Sequence, residues 1–264
     1  MKSRVVIIQY LGDYREGYNR LKQGGGETYA YQKYSVDNVV KIGKKCQEIT
    51  TICLLTEENY NEVLEPGVRA VGLGYKSFQE INSRKVIEIL KELSPTHIIF
   101  TTPTAMKPIV NWGKRQQTQP KIICEFADSF STKSIKDKIK NYLLANFLNQ
   151  PIIDWISNHG INSCEALKQI GVNPDKIIPW DYPHQHSPKY FEPKTLSSHL
   201  KNWNIVYVGL LTKSKGVGDI LDAISILKNK NYSVQLKIAG KGDTQTFINQ
   251  AQDLNISDFI CFLG

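Results

Sequence analysis

In the run Tyr207-Val208-Gly209-Leu210-Leu211-Thr212-Lys213-Ser214-Lys215-Gly216, an apolar stretch ends on a glycine. A short polar loop then carries two lysines and closes on a second glycine. Behind it, Val217, Ile220, Leu221, Ile224 and Leu227 recur at helical spacing. A strand that turns into a helix this way aims backbone N–H groups and a positive helix end at one point. With Lys213 and Lys215 beside that point, the arrangement suits a phosphate. It equally suits an ordinary strand-to-helix loop with solvated lysines.

A second glycine-bearing turn, Gly24-Gly25-Gly26-Glu27, follows an N-terminal strand (Val5 to Gln9) and a tyrosine-rich stretch read as loop. A helix expected over Glu27–Lys44 begins directly on it, so the glycines would let backbone approach a ligand at a helix start. The turn is not GxGxxG, and no acidic residue is placed for a dinucleotide ribose, which argues against NAD.

The elements that must position these turns alternate. Strands are expected at Val5–Gln9, Ile49–Leu55, Val68–Leu73, His97–Thr101, Lys121–Glu125, Ile152–Ser157 and Lys176–Ile178. Helices are expected at Glu27–Lys44, Gln79–Leu93, Thr104–Gln116, Lys133–Leu148 and Ile161–Ile170. Strands such as Val5-Val6-Ile7-Ile8 are apolar on both faces, which fits a parallel sheet covered by helices on two sides. The rhythm breaks between Trp180 and Trp203, where Pro183, Pro188 and Pro193 intervene, and this segment reads as a linker. His184-Gln185-His186 lies within it, but spacing supplies no third metal ligand. The pattern then restarts with strands at Asn204–Val208, Val234–Ala239 and Phe259–Leu263 and helices at Val217–Lys228 and Gln245–Leu254. The fold class expected is α/β: two Rossmann-like doubly wound domains, 1–182 and 204–264, joined by 183–203, with the second incomplete.

Charge and cysteine usage bound the partners. The chain of 264 residues carries a formal net charge of +8. Between Lys107 and Gln150, eight basic residues face only Glu125, Asp128 and Asp137, a patch for an anionic lipid or a phosphorylated substrate, or simply a solvated helix face. No aromatic-interleaved RNA motif or zinc-finger spacing is present, so nucleic acid is not expected. The five cysteines show no CxxC or Cys/His ligand spacing and read as reduced, buried thiols of a cytoplasmic chain.

Taken in order, several segments resemble the family-4 retaining glycosyltransferases of the GT-B fold. They are Gly24-Gly25-Gly26-Glu27; Trp155-Ile156-Ser157 with Ser163, Glu165, Leu167 and Gly171; Asp175-Lys176-Ile177-Ile178-Pro179; Tyr190-Phe191-Glu192-Pro193; Val208-Gly209 through Lys215-Gly216; and Ile238-Ala239-Gly240-Lys241-Gly242. The resemblance implies transfer of a sugar from a nucleotide-sugar donor, UDP-linked by family frequency, to a polysaccharide or lipid-linked acceptor, with retention and without a metal. Carried over by position, Lys215 would neutralise the donor diphosphate, with Lys213, Gly209 and Gly216 in the same loop. Gly24, Gly25 and Gly26 would offer it N–H groups, and Gly240 and Gly242 would line the nucleoside side. Asp128, at a strand end, suits an acceptor hydroxyl or a loop cap.

Three departures accompany the match. Leu210 stands where the family carries an arginine, Thr101 and Thr102 stand where it often has a histidine, and the donor-holding Glu-x7-Glu segment would fall beyond Gly264. A C-terminally truncated chain is therefore expected, of reduced activity by itself. A binding protein of degenerate transferase type and a nucleotide-sugar epimerase are the competing readings. The helix Lys133–Leu148, with Ile135, Ile139, Leu143 and Phe147 four apart and lysines near its start, suits either an anionic membrane surface or a core contact.

Overall fold

The computed structural model describes residues 3–9, 12–29, 31–181, 188–193 and 202–264. The chain divides into two compact units, Met1–Gln185 and His186–Gly264. The His184-Gln185-His186 segment and most of the expected linker lie outside the described residues.

Among the described residues of the first unit, eight strands form one sheet. They are β1 (Arg4–Gln9), β2 (Glu48–Cys53), β3 (Asn59–Glu65), β4 (Val68–Leu73), β5 (His97–Phe100), β6 (Lys121–Phe126), β7 (Ile153–His159) and β8 (Ile177–Trp180). Their order is β3-β4-β2-β1-β5-β6-β7-β8, parallel throughout except for the antiparallel β3–β4 pair. The helices are α1 (Tyr14–Lys22), α2 (Gln32–Gly43), α3 (Ser83–Leu93), α4 (Met106–Gly113), α5 (Ile135–Leu148) and α6 (Gly160–Gln169).

Alternation along β1 shows why both faces are apolar. Val6 and Ile8 join a core with Val86 and Leu90 of α3 and Ile109 of α4. Val5 and Ile7 pack against a second core holding Tyr14 and Tyr18 of α1 and Val36 and Val39 of α2. The chain leaves β1 toward β2 on one side and returns to β5 on the other, so the switch point, where doubly wound sheets hold ligands, lies at the carboxyl ends of β1 and β5.

The structure departs from the sequence at α1, at the start of α2 and at β3. The tyrosine-rich stretch is helix α1, capped by Asp13, whose carboxylate accepts the Glu16 N–H. Tyr14, Gly17, Tyr18 and Leu21 form its inward stripe, a helical signal that its polar composition conceals. The next helix consequently starts at Gln32 rather than Glu27. Strand β3 has no counterpart in the sequence reading. Apart from Tyr60 its residues are exposed or half-buried, because it is an edge strand held only by β4.

In the second unit β9 (Asn202–Val208), β10 (Ser233–Ala239) and β11 (Ile260–Phe262) form a parallel sheet in the order β11-β10-β9. Helices α7 (Val217–Asn229) and α8 (Thr244–Asp253) pack on it through Val217, Leu221, Ile224, Leu236, Ile238 and Phe247.

Candidate functional site

The loop from β9 to α7 is built around one buried residue. Leu211 is 1% exposed, and its N–H donates to the Lys241 carbonyl at 2.9 Å while its own carbonyl accepts from Asp243 at 3.1 Å. The two crossovers of this unit are thus laced together backbone to backbone. That lacing explains two glycines. A Cβ on Gly240 (φ 149°) would fall 1.8 Å from the Gly209 carbonyl oxygen, and one on Gly242 (φ 144°) would fall 2.5 Å from that of Leu211. Close passage of two chains therefore requires Gly240 and Gly242, whatever else they touch.

Beyond Leu211, residues Lys213–Lys215 form one 3-10 turn, and Gly216 (φ 72°) takes the left-handed conformation that opens α7. No side chain caps this helix. The first-turn N–H groups of Val217, Gly218 and Asp219 therefore lack an intrahelical or side-chain acceptor among the described residues, which leaves a small positive pole. Lys213 and Lys215 are exposed beside it. The Lys215 N–H donates to the Thr212 carbonyl at 3.1 Å, but its ammonium has no hydrogen bond or ion pair among the described residues, while Lys213 acts on Asp243. The Asp243 carboxyl is held below its usual range chiefly by its hydrogen bond from Thr246 and also by Lys213. Asp219 adds an opposing carboxylate in the first turn of α7. The structure thus gathers Gly209, Lys213, Lys215, Gly216, Gly240 and Gly242 on two adjoining loops of one unit.

Gly24, Gly25 and Gly26 sit elsewhere, and differently than expected. The Gly24 N–H donates to Leu21 and the Gly25 N–H to Arg20, at 3.2 and 2.9 Å, so both amides close the C-terminus of α1. The Gly26 carbonyl accepts from the Arg20 guanidinium. The turn is a helix end, not a helix start, and two of its three amides are already engaged.

At the carboxyl edge of β6, β7 and β8 the side chain of Asn158 is fully buried and fully used. Its oxygen accepts from the N–H groups of Asp128 and His159 at 3.2 and 2.9 Å, and its amide donates to the carbonyls of Asp128 and Ser163, both at 2.9 Å. This clip fixes the Asp128 loop to the end of β7 and leaves the Asp128 side chain exposed. Beside it His159 Nε2 lies 3.1 Å from Asp181, and the Trp180 indole packs 4.9 Å from the imidazole while donating to the Phe126 carbonyl. Sequence reading missed this His159–Asp181 pair. Its only signal is position, since each residue stands where a parallel strand ends. Glu125, one turn of the pleat before this edge, has its carboxyl pushed up by burial.

Among the described residues, no group of three or more His, Cys, Asp or Glu could hold a metal ion. No helix among them is long and apolar enough to cross a membrane.

Known proteins share this architecture. Residues 190–264 match the family described as Glycosyl transferases group 1. No curated protein matches the chain. Among solved structures it is similar to sucrose-phosphate synthase from Thermosynechococcus elongatus, at 15% identity over 100% of this chain and 70% of that one, with a TM-score of 0.61. It is also similar to HepE of Anabaena in complex with UDP, at 13% identity over 100% and 69%, with a TM-score of 0.59. A glycosyltransferase from Rickettsia africae gives 13% identity over 100% and 68%, with a TM-score of 0.53. At such identities it is the fold that is shared: this chain is α/β, with the GT-B architecture of these glycosyltransferases.

Proposed function

We propose that the protein transfers a sugar from a nucleotide-sugar donor, UDP-linked, to a saccharide or lipid-linked acceptor, with retention at the anomeric carbon. The observation that carries this reading is the uncapped start of α7 with Lys215 unpaired beside it, inside the segment that matches the glycosyltransferase family. Breaking the bond from the anomeric carbon to a diphosphate puts growing negative charge on the leaving oxygens, and fixed N–H donors with a cation stabilise that charge. In this role Lys215 and the amides of Val217 and Gly218 would hold the diphosphate. Lys213 would assist, and Gly240 would leave room for the nucleoside. HepE has been crystallised with UDP and with UDP-glucose, which supports the choice of base. Retention rests on the family resemblance. Asp128 is the acceptor-side candidate because its side chain is exposed at a strand end.

Calorimetric titration of UDP and GDP into the chain and into Lys215→Ala tests this. UDP should bind more tightly than GDP, and the variant should bind UDP about tenfold more weakly, the value of one charge-assisted contact. Identical binding by both proteins would remove Lys215 from the site. One observation favours a second reading, a protein that binds the donor without transferring it. Leu210, 58% exposed beside the loop, supplies no charge to a phosphate where the family has an arginine. UDP binding without product from UDP-glucose and saccharide acceptors would select that reading.

A further inference from the structure

Helix α1 is fastened to its unit largely by polar contacts. Toward β3, Arg15 bridges Glu58 at 2.7 Å and Glu62 at 2.6 Å, with its guanidinium 3.8 Å from the centre of the Tyr60 ring. Tyr60 donates its hydroxyl to Asp13, the N-cap of α1, at 2.6 Å, and Tyr18 donates to Glu65, also at 2.6 Å. Toward α2, the Tyr14 hydroxyl donates to the Val36 carbonyl at 3.2 Å and Arg20 donates to Gln32 at 3.0 Å. The buried residues of α1 are Tyr14, Gly17 and Tyr18, so it has no fully buried aliphatic anchor such as Val86 and Leu90 give α3. Hydroxyls and ion pairs exchange their partners for water and salt far more readily than an aliphatic core does.

Both ends of the helix are glycine. Gly12 (φ 74°) precedes the N-cap and Gly24 (φ 81°) follows the last turn, and a Cβ on either would meet nothing within 4 Å. No neighbour crowds these two positions; their glycines serve backbone rotation, which is what a hinge needs. Beneath the helix lies Cys53, the last residue of β2, which is 0% exposed and whose Sγ accepts the Tyr14 N–H at 3.3 Å. The first turn of α1 therefore covers the carboxyl end of β2 beside β1, the side of a doubly wound sheet that faces ligands.

We propose that α1 is a hinged lid on this edge, turning on Gly12 and Gly24 and latched by β3 and Glu58, so that ionic strength sets how often it opens. The lid is independent of the transferase reading. Its opening uncovers the Cys53 thiol, whereas Cys124 lies in the core 3.7 Å from Met106 of α4 and is reached only when the first unit unfolds. Alkylation of the whole chain by iodoacetamide, followed peptide by peptide at one pH, tests this. Low concentrations of urea should leave the Cys53 rate nearly flat while the Cys124 rate climbs, because the urea slope scales with the surface exposed. A common slope for both thiols would mean that α1 leaves only on unfolding, and the lid would be overturned.

The latch has its own readout. Raising salt from about 0.05 M to about 0.5 M should speed Cys53 several-fold by screening the Arg15 pairs. Glu58→Gln combined with Glu62→Gln should speed it about fivefold at low salt and remove most of the salt response. Both carboxylates are well exposed, so the fold tolerates the change, and a Cys124 rate that still needs urea to rise would verify it. Tyr60→Phe, which keeps the ring under Arg15 but frees Asp13, should also speed Cys53 about fivefold, the value of one hydrogen bond. A Cys53 rate indifferent to salt and to these substitutions would overturn the latch.

Discussion

At Gly240 a single hydrogen atom decides whether two loops can pass. Alanine there would place a methyl group inside the contact distance of the Gly209 carbonyl, at a backbone angle that side-chain-bearing residues rarely adopt. Gly240→Ala should therefore cost on the order of 2 kcal/mol, seen as a lowered denaturation midpoint of the second unit. An unchanged midpoint would show that the two loops can separate without loss. Glu125 makes a different residue-scale case. Burial raises its carboxyl, so the folded state holds that proton more tightly than the unfolded chain. Stability from this group is present at low pH and is lost as pH rises from the ordinary carboxylate range through the raised folded value. In denaturant titrations at about pH 5 and about pH 8, Glu125→Gln should lose less stability over that rise than the parent chain. An equal loss in both proteins would mean that the carboxylate reaches water. Thiol chemistry follows burial likewise: Cys53 is pushed up to about 11 and Cys124 to about 12, so Cys261, the exposed thiol, should be the first to react with an alkylating reagent.

Among the elements, α5 runs furthest from what its sequence alone settles. Ile135, Ile139, Leu143 and Phe147 recur every four residues, a row that reads first as a core face and second as a lipid-facing one. The structure turns the first three outward, at 77, 55 and 62% exposure, together with Tyr142 at 65%. The sheet side is taken by the small or polar Asn141 and Ala145 and by Leu148. Exposed Lys133, Lys136, Lys138 and Lys140 accompany that apolar row, so an anionic bilayer is the surface it complements. Flotation with vesicles containing anionic lipid should recover the protein at low salt and lose it at high salt, and Ile139→Glu should lower recovery several-fold. Recovery that ignores both lipid charge and this substitution would exclude the helix.

Burial decides which elements are legible in the sequence. Strands β1 and β5 carry the unbroken apolar runs Val5–Ile8 and Ile98–Phe100, and β2 and β4, though interrupted by Thr50, Thr51 and Arg69, are almost wholly buried. Helix α1 and strand β3 each bury only a few residues, chiefly tyrosines, beneath many polar ones, and their periodicity is too diluted to read. The lysine loop was legible because its chemistry is local. The His159–Asp181 pair was not, because 22 residues of chain separate partners that only strand register brings together.

For the whole molecule, the division into two units with a core in each sets how ligand and stability are linked. The first unit is organised by two hydrophobic clusters, on either face of its eight-stranded sheet, and the second by one between its three strands and two helices. A nucleotide held by the loop of residues 213–219 would stabilise only the unit that forms this loop. At a hundredfold excess over its dissociation constant it would add about 2.7 kcal/mol, enough to raise the midpoint of so small a unit by on the order of 10 °C. Hydrogen exchange read peptide by peptide should therefore show UDP slowing exchange within residues 202–264 and leaving 3–181 at their unliganded rates. Calorimetry should show two transitions of which UDP moves one. Protection centred in the first unit would instead place the nucleotide at the carboxyl ends of β1 and β5, and the lysine loop would then be the solvated turn that its sequence equally allows.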